Sequence, residues 1–582
     1  MNGLKVWAPK AKNITRVAEG IEESLQPGKN GWWSTQDAIP VGTDYGFLID
    51  GEGPYPDPVS LWQPFGVDGL SRVYDQDAFL WTDTGWRAPP LASAIIYELH
   101  VGTFTEEGTF AAVEEKLDHL LDLGITHIEL LPVAEFSGEH GWGYDGVDWY
   151  APHHHYGDPD ALKQLVNACH ARGLAVILDV VYNHFGPAGN YLNCFGHYFT
   201  DRYHTPWGDA VNFDGAHSDE VRRFVLDNVL MWLRDYHFDG LRLDAIHAIL
   251  DCSAQHILEQ MVEEVAALEV SLQRPLVLIA ESDLNDPKII RPQSIGGFGL
   301  HAQWSDDFHH ALHALMTGED SGYYLDFGQL DQLSKALEHG FVYDGGYSQY
   351  RKRSHGRPAT GVYPHQLLGY LQNHDQIGNR AQGERSSHLL SLGQLKIAAA
   401  LVLTAPFLPM LFQGEEWASS SRFLYFTDHQ DPDLAAAVKA GRQSEFIAFG
   451  WQPKDVPDPQ DPQTFLNSKL DWQELEQERH EAIFAWHKAL VGLRQRNVDL
   501  QANHVVKNQV FFDETQQWLM LQRGHFQVVC NFAATEQLIH TSEVTSANLL
   551  LASDENINLQ DQHLLMPGHS VAILEVTQVS NT

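Results

Sequence analysis

A helix-strand unit that recurs between about residues 94 and 412 constrains the fold more than any other feature of the sequence. In one copy, Asp158 and Pro159 predict the start of a helix, and Gly173 predicts its end. The continuous apolar segment Leu174–Val181 follows directly. An amphipathic helix followed by a fully apolar strand is typical of a parallel sheet that is covered on both faces.

Eight apolar segments of this kind occur along the chain. They are Ile95–Leu99, Ile125–Val133, Leu174–Val181, Leu241–Leu243, Pro275–Ala280, Leu300–Trp304, Gln366–Gln372 and Phe407–Phe412. Their number and spacing predict an α/β fold, a (β/α)8 barrel of the TIM type with long inserted loops. A doubly wound sheet is the alternative, but no GxGxxG or GxxxxGK[ST] turn follows the first strand, which weakens it.

The two ends of the chain lack this helix-strand pattern and contain short β-type segments instead. Residues 1–88 contain short β-type runs broken by Gly and Pro, which predict an N-terminal β-sandwich. Alternating strands from about residue 502 predict a C-terminal β domain. We therefore expect three domains: 1–88, a carbohydrate-binding-like β-sandwich; 89–497, the catalytic barrel; and 498–582, the C-terminal β domain.

The charge balance restricts the ligand. The chain has 37 Lys and Arg residues against 77 Asp and Glu residues, a formal net charge of −40. Such a field repels nucleic acid and anionic membranes, so we expect neither as a partner. A neutral or cationic ligand is favoured.

The cysteines and the N-terminus bear on the compartment. Cys169, Cys194, Cys252 and Cys530 are too scattered for a disulfide framework, so free thiols in a reducing compartment are expected. The run Met1–Trp7 is strand-like and lacks the features of a targeting segment, and no 18 consecutive apolar residues occur. We expect a cytoplasmic protein.

Acids and histidines stand at the carboxyl ends of four predicted strands, where a barrel carries its functional groups. These ends carry Asp179, Asn183 and His184; Arg242 and Asp244; Glu281; and His374 and Asp375. A single acid at a strand end is commonly a loop cap. Four successive matches favour a catalytic role, with the carboxylates of Asp244, Glu281 and Asp375, two histidines and an arginine converging on one mouth.

Several segments around these residues resemble the α-amylase clan of glycoside hydrolases, and within it the maltooligosyltrehalose trehalohydrolase family. The segments are Gly141–Val147, Asn183–Pro187, Arg242–Ile249, Ala280–Pro287, Gln303–His310 and Asn373–Arg380. The resemblance covers nearly the whole chain and is weakest in the last 80 or so residues. It implies hydrolysis of the α-1,4 bond next to the terminal α,α-trehalose of maltooligosyltrehalose, with a synthase making that substrate in the same cell.

The resemblance also implies roles for the three acids. Asp244 matches the nucleophile, Glu281 the general acid, and Asp375 the acid that stabilises the oxocarbenium-like transition state. Retention requires the carboxyls of Asp244 and Glu281 to lie roughly 5–5.5 Å apart. Arg242, two residues before Asp244 and so on the same strand face, is placed to hold that carboxylate ionised. Glu281 follows apolar residues without an adjacent base, a setting that favours its protonated form.

Further residues match sugar-binding positions of the clan. His184 and His374 resemble histidines that bind the sugar at the cleavage point, and Tyr144 resembles the aromatic residue that stacks under it. His247 stands where many amylases carry Lys, a departure that suggests altered recognition. Asp307, His309, Gln376 and Asn379 are weaker candidates for sugar contacts.

No metal or cofactor is expected. The His-rich run Pro152–Tyr156 invites a metal interpretation, but adjacent residues of an extended segment alternate faces, so these histidines cannot all ligate one ion. No clustered Asp-x-Asp-x-Asn-Gly loop suggests calcium.

Two alternative functions remain open at this point. One is a glycogen branching or debranching enzyme of the same clan. The other is a catalytically inactive carbohydrate-binding barrel, which the presence of all three acids disfavours.

Overall fold

The computed structural model describes residues 3–447, 452–502, 508–541 and 544–578. Its first part is rich in strands: β1 (Lys5–Trp7), β2 (Ile14–Ala18), β3 (Ile21–Ser24), β4 (Gln26–Pro27), β5 (Trp32–Ser34), β6 (Asp44–Ile49), β7 (Glu52–Tyr55) and β8 (Ser71–Arg72). One sheet has the order β1-β5-β4, and the other has the order β3-β2-β6-β7 with β8 paired to β6. Buried residues alternate along β2, as in a strand with one face packed on a core. Met1 and Asn2 of the predicted first strand lie outside the described residues.

The middle of the chain alternates strands and helices. Its strands are β9 (Ile96–Leu99), β10 (His127–Leu130), β11 (Ala134–Glu135), β12 (Asp148–Pro152), β13 (Ala175–Val180), β14 (Phe199–Thr205), β15 (Gly208–Val211), β16 (Gly240–Leu243), β17 (Val277–Ala280), β18 (Ala302–Trp304), β19 (Asp344–Ser348), β20 (Arg353–Gly356), β21 (Leu367–Gly369) and β22 (Leu408–Phe412). Its helices are α1 (Val101–Phe104), α2 (Phe110–Glu114), α3 (Leu117–Leu123), α4 (Pro159–Ala171), α5 (Leu192–Phe195), α6 (Ser218–Arg234), α7 (Ile257–Leu272), α8 (Asp306–Thr317), α9 (Leu330–His339), α10 (His374–Gly378), α11 (Ser386–Leu389) and α12 (Leu392–Thr404).

Among the described residues, eight parallel strands close into a barrel in the order β9-β10-β13-β16-β17-β18-β21-β22, and β22 pairs back with β9. These are the eight predicted segments in their predicted order, so the barrel is confirmed and the doubly wound alternative is wrong. Seven of the eight strands are shorter than the apolar segments, because the flanking apolar residues continue into loops that are also buried, and β16 is longer by Gly240. The segment predicted as Ile125–Val133, for example, pairs only over β10.

Local sequence sets the limits of the helices. The Asp158 side chain accepts a hydrogen bond from the Ala161 amide at 2.8 Å, and Pro159 is the first residue of α4. The Asp158 side chain thus accepts from one backbone N–H at the start of the helix that has no partner within it, and Pro159 has no such N–H. This is the helix start that the sequence predicted. Gly124 ends α3 at φ 94°, a conformation that favours glycine.

The barrel interior changes character along its axis. The lower layer is apolar and includes Ile96, Ile177 and Ile279. Because side chains two residues apart share a strand face, Asp179 enters the interior one step above Ile177. In the neighbouring strand Arg242 is the register partner of Asp179. Charged side chains therefore begin in the upper half of the barrel, next to its carboxyl-terminal mouth.

The last part contains helices and a strand-rich region. The elements are α13 (Pro432–Ile447), α14 (Pro462–Leu466), α15 (Glu478–Arg496), β23 (Asn508–Asp513), β24 (Trp518–Arg523), β25 (Phe526–Asn531), β26 (Gln537–His540), β27 (Val544–Ala552), β28 (Asn558–Gln560), β29 (His563–Met566) and β30 (Ser570–Gln578). The strands form sheets of order β23-β24-β25-β30-β27 and β26-β29-β28. Strand-rich regions on both sides of the barrel confirm the predicted fold class, whereas the domain boundaries stay a prediction. Within the described ranges, no helix has the length and apolar character that crossing a membrane requires.

Candidate active site

A cavity of about 360 Å³ opens at the carboxyl ends of the barrel strands. Its lining is Trp142, Tyr144, Asp145, His184, Trp207, Arg242, Asp244, Ala245, His247, Glu281, Trp304, Asp306, Asn373, His374, Asp375, Gln376, Asn379, Tyr425, Phe426 and Thr427. Segments after seven of the eight strands contribute, which is the arrangement that loops of a (β/α)8 barrel produce. The three predicted acids all line this one cavity.

Asp244, directly after β16, is held on both carboxyl oxygens. Arg242 Nη1 donates to Oδ1 at 2.8 Å, and Asn183 Nδ2 donates to Oδ2 at 2.8 Å. The side chain is 13% exposed, so part of it faces the cavity. A cation and an amide donor both favour the ionised form of a carboxylate and fix its orientation.

Glu281, directly after β17, has fewer hydrogen-bond donors than Asp244 among the described residues, and Arg242 lies farther from it. Its Oε2 accepts a hydrogen bond from the Ala245 amide at 2.6 Å, and Arg242 Nη2 lies 3.8 Å away. Burial raises the pKa of Glu281 well above its ordinary value; Arg242 opposes this, and neighbouring carboxylates, Asp244 first among them, add to it. The raised pKa of Glu281 favours its protonated form, and the role of general acid stays a prediction; the basic residue Arg242 lies near Glu281, although none is adjacent in sequence.

Ala245 connects these two acids through its backbone. Its φ of 39° and ψ of 51° lie in the left-handed region, which costs a residue with a Cβ about 1 kcal/mol or more. Ala245 is the residue after Asp244 in the chain. Its left-handed conformation points its amide N–H at the Glu281 carboxylate. The strained turn thus ties the position of one acid to that of the other.

Asp375 lies in the first turn of α10 and is exposed in the cavity. The Asn373 side chain caps this helix by accepting from the amides of Asp375 and Gln376. Asn379 Nδ2 donates to Asp375 Oδ1 at 2.6 Å. No cation contacts Asp375 directly among the described residues, in contrast to Asp244.

A chain of hydrogen bonds supports Arg242 from inside the barrel. His374 Nδ1 lies 2.6 Å from Glu98 Oε1, and His374 Nε2 lies 2.8 Å from the Tyr144 hydroxyl. That hydroxyl donates to Asp179 Oδ2 at 2.6 Å, and Asp179 in turn accepts from Arg242 at 2.8 Å. Asp179 therefore fixes the guanidinium of Arg242.

These contacts explain the pKa values of His374 and Asp179 in this hydrogen-bond chain. Burial alone would lower the pKa of His374, but the Glu98 carboxylate outweighs it and the pKa is raised. Burial raises the pKa of Asp179 to about 6, and Arg242 limits the rise.

Most predicted sugar-binding residues reach the cavity. Tyr144 stacks on His374 with ring centroids 5.2 Å apart, and His184 stacks on Trp207 at 4.4 Å. His184 Nε2 contacts the Tyr144 carbonyl oxygen at 3.0 Å, and burial lowers the pKa of His184. His247, Gln376 and Asn379 also line the cavity.

Asp307 and His309 do not line the cavity. Asp307 Oδ2 accepts from Asn285 and from the amides of Val342 and Tyr343, so it fixes a loop. His309 is buried between the Leu371 carbonyl oxygen, at 2.6 Å, and the Tyr324 hydroxyl, at 2.9 Å. Both belong to α8, whose turn points them away from the mouth.

Asp306 is the residue of this segment that faces the cavity. Successive residues of a helix point about 100° apart, so one position decides whether an acid meets the cavity or the protein interior. The Asp-Asp pair in the sequence signalled an acid here but not which of the two. Trp207, in the turn between β14 and β15, was missed as well, and no strand end marks it in the sequence.

The His-rich run forms a hydrogen-bonded group with Glu135. Glu135 Oε1 lies 3.1 Å from His153 Nδ1 and 2.9 Å from His154 Nδ1. Burial would raise the pKa of Glu135, but the two imidazoles outweigh it and the pKa is lowered. These donor atoms lie close enough together to hold a metal ion, and His155 is not part of the group. Because each carboxylate–imidazole contact is a hydrogen bond, the geometry does not require an ion.

Comparison with known proteins agrees with this geometry. Residues 77–203 match the family model described as the alpha amylase catalytic domain. The barrel and its carboxylate-lined mouth therefore define a glycoside hydrolase of the α-amylase clan.

Full-length relatives narrow the family. The chain is 49% identical to the malto-oligosyltrehalose trehalohydrolase of Rhizobium sp. (strain M-11), over 98% of this chain and 97% of that protein. It is 45% identical to the protein of the same name from Mycobacterium tuberculosis (strain H37Rv), over 99% of this chain and 100% of that protein. The chain belongs to the malto-oligosyltrehalose trehalohydrolase family.

A solved structure extends the agreement to the fold. A Salmonella typhimurium protein, described as a candidate alpha amylase, superposes with a TM-score of 0.89 at 36% identity. The match covers 99% of this chain and 97% of that one.

Proposed function

We propose that this enzyme hydrolyses the α-1,4-glucosidic bond next to the terminal α,α-trehalose of maltooligosyltrehalose and releases trehalose with retention. The observation that carries the mechanism is the single guanidinium of Arg242, which lies 2.8 Å from Asp244 and 3.8 Å from Glu281; family membership supports the substrate. Contact with one guanidinium brings both carboxyls to the same part of the cavity, and retention requires them to lie about 5–5.5 Å apart.

In the first step, Glu281 donates its proton to the glycosidic oxygen while an Asp244 oxygen bonds to the anomeric carbon. The bond from that carbon to the glycosidic oxygen breaks, and trehalose leaves with the proton. The product is a β-glycosyl ester on Asp244. The donors that Arg242 and Asn183 supply keep Asp244 ionised for this attack.

In the second step, the Glu281 carboxylate takes a proton from water as the water oxygen attacks the anomeric carbon. The ester bond to Asp244 breaks, the malto-oligosaccharide leaves as the α-anomer, and both acids return to their starting states. The raised pKa of Glu281 suits this exchange of roles, because the group must be an acid in one step and a base in the next.

Asp375 is proposed to bind hydroxyls of the ring at the cleavage point and to stabilise positive charge in the transition state. Other cavity groups offer free polar atoms to the same ring. Among the described residues, Gln376 Oε1 and Asn373 Nδ2 are buried without a hydrogen-bond partner, and both residues line the cavity. Buried polar atoms are normally paired, so sugar hydroxyls suit them as partners.

The trehalose-releasing activity is tested on a defined maltotriosyltrehalose and, in parallel, on amylopectin. We expect trehalose and maltotriose in equimolar amounts, with the new reducing end formed as the α-anomer by NMR. Altered branching of amylopectin without trehalose release would favour the branching or debranching alternative. No turnover of either substrate would favour an inactive carbohydrate-binding barrel.

The proposal also covers the source of the substrate and the cellular compartment of the enzyme. A synthase that forms the terminal trehalose unit on a maltooligosaccharide must supply this substrate. We place both enzymes in the cytoplasm, and the four cysteines, none of them in a disulfide, support a reducing compartment. The two enzymes need not form a complex, because the product of the synthase is the substrate of this enzyme.

A further inference from the structure

Asp375 and Asp244 differ in how the protein holds them. Arg242 contacts Asp244 directly, whereas the described residues give the exposed Asp375 carboxylate one side-chain donor, Asn379 Nδ2, at 2.6 Å. An exposed carboxylate with a single donor is free to rotate unless that donor is itself fixed. The position of Asp375 therefore depends on what holds Asn379.

Arg442, on α13, holds Asn379 from the other side. Its Nη1 donates to Asn379 Oδ1 at 2.9 Å, and its Nη2 donates to the Gly378 carbonyl oxygen. The same Nη1 also lies 3.0 Å from Glu445 Oε2. The guanidinium thus contacts the last residue of α10, Gly378, and the residue after it, Asn379, three and four residues beyond Asp375.

The guanidinium is itself well fixed. It lies over the ring of Tyr425, 4.9 Å from the centroid, and over that of Phe446 at 4.7 Å. Tyr425 lines the cavity, so α13 contacts the site through this ring as well. Stacking on two rings restricts a guanidinium without removing its hydrogen-bond donors.

The end of α10 also packs against Trp142. A Cβ built on Gly378 would lie 1.9 Å from Trp142 Cη2, so the helix backbone packs directly against the indole. Trp142 Nε1 donates to the Leu424 carbonyl oxygen at 2.8 Å. The indole therefore holds the backbone at Gly378, next to Asn379, while the guanidinium of Arg442 holds the Asn379 side chain.

We propose that Arg442 is a positioning residue for Asp375 and acts through Asn379. A cation at Asn379 Oδ1 polarises the amide and strengthens its Nδ2–H as a donor to the carboxylate. The inference rests on the proposed function, since it matters to catalysis only if Asp375 stabilises the transition state. It assigns to α13, which follows the last barrel strand, a direct effect on the geometry of the mouth.

Turnover of maltotriosyltrehalose by Arg442→Gln tests this inference. We expect kcat to fall about 10-fold while KM changes less than about 2-fold, because the substrate still binds but the transition state loses an oriented carboxylate. Arg442→Lys should recover part of the loss, since an ammonium group can reach one of the two acceptors. Lys439→Gln is the matched control, because Lys439 lies on the same helix but pairs with Asp458, and it should retain wild-type kcat.

A double mutant separates positioning from a general structural effect. Asn379→Ala combined with Arg442→Gln should be no slower than Asn379→Ala alone, because both changes interrupt one chain. Losses that multiply, a wild-type kcat in Arg442→Gln, or a change in KM alone would overturn the inference. If Arg442→Gln does not fold, the same cycle with Arg442→Lys decides between these outcomes.

Asp375→Asn distinguishes this inference from the proposed function. Wild-type turnover in Asp375→Asn would contradict the role that the proposed function gives to Asp375. A large loss in Asp375→Asn beside a wild-type kcat in Arg442→Gln would overturn only the inference about Arg442.

Discussion

Two clusters of charged side chains lie at opposite ends of the barrel and use the same residue types differently. At the base, His170 Nδ1 lies 2.8 Å from Asp83 Oδ2, and its Nε2 lies 3.0 Å from Asp239 Oδ2. His237 Nδ1 also contacts Asp83 Oδ2 at 2.8 Å. Trp86 Nε1 donates to the other oxygen of Asp239 at 2.9 Å. Acids and imidazoles here neutralise one another.

At the mouth, Asp375 and Glu281 are incompletely paired, whereas Asp244 has a donor on each carboxyl oxygen. Asp375 is exposed, and among the described residues only one oxygen of Glu281 accepts a hydrogen bond. Burial without full compensation raises the pKa of Glu281, whereas the paired Asp83 has a lowered pKa, because its two imidazole partners outweigh burial. Paired charges stabilise the fold, while unpaired charges beside a cavity are available to a substrate.

Removal of the nucleophile is the strongest test of this contrast. Asp244→Ala should lower kcat on maltotriosyltrehalose by on the order of 10⁴-fold or more, because no other group is placed to form the glycosyl ester. Its fold should persist, since Arg242 keeps its contacts with Asp179. Trehalose release measures the first effect and circular dichroism the second. Turnover near that of the wild type would contradict the assignment of Asp244.

Glu281→Gln should have the next largest effect. Protonation by a positioned acid contributes about 10²–10⁴-fold, so we expect a loss of roughly 10³-fold on maltotriosyltrehalose. Maltosyl fluoride, whose leaving group needs little protonation, should lose far less.

The pH profile adds a second readout for Glu281. The raised pKa of Glu281 keeps the acid form present well above pH 4.5, and wild-type kcat/KM should fall as the pH rises through that pKa. The variant should lack this decline. Equal losses on both substrates would argue against proton donation by Glu281.

The barrel and the three acids could be predicted because both depend on patterns carried by the strands. Largely apolar segments such as Leu174–Val181, whose one charged residue is Asp179, mark buried parallel strands, and an acid directly after such a segment lies at the mouth. Asp244 and Glu281 satisfy that rule directly, and Asp375 follows its segment Gln366–Gln372 after two intervening residues. Their catalytic roles stay predictions until the variants are measured.

Contacts that depend on side-chain direction could not be predicted in the same way. Asp307 was expected at the cavity, but the start of α8 directs Asp306 there instead. Arg442 reaches Asn379 from a helix more than sixty residues away, and nothing in local spacing indicates that approach. Long loops after strands fix such contacts through tertiary packing, which a periodic pattern does not encode.

At the base, Asp83→Asn should reduce stability and leave catalysis intact. Loss of the carboxylate removes the negative charge that both His170 and His237 contact. We therefore expect the free energy of unfolding to fall by about 2–4 kcal/mol near pH 6. The kcat should stay at the wild-type value. Asp118→Asn is the control, since Asp118 is 83% exposed in its pair with Arg172 and should change stability by less than about 0.5 kcal/mol.

The cost of Asp83→Asn should depend on pH. Hydrogen bonds to Asp239 and Asp83 outweigh burial and raise the pKa of His170 above 6.5. Its contribution to stability is therefore complete below pH 6.5 and is lost as the pH rises through the raised value. The difference in unfolding free energy between wild type and variant should be smaller at pH 9 than at pH 6. A kcat loss like that of Glu281→Gln would show that the two ends are not functionally separate.

The smallest effect is expected at Asp158, an exposed acid on the amino-terminal side of α4. Asp158 is engaged in capping, since it accepts from the Ala161 amide, so Asp158→Ala should lower the free energy of unfolding by about 1 kcal/mol and leave kcat unchanged. Asp158→Asn should behave like the wild type, because an amide oxygen caps a helix about as well as a carboxylate does. Equal destabilisation of both variants would mean that the charge, rather than the hydrogen bond, is what matters. Thermal unfolding of the three proteins decides between these outcomes.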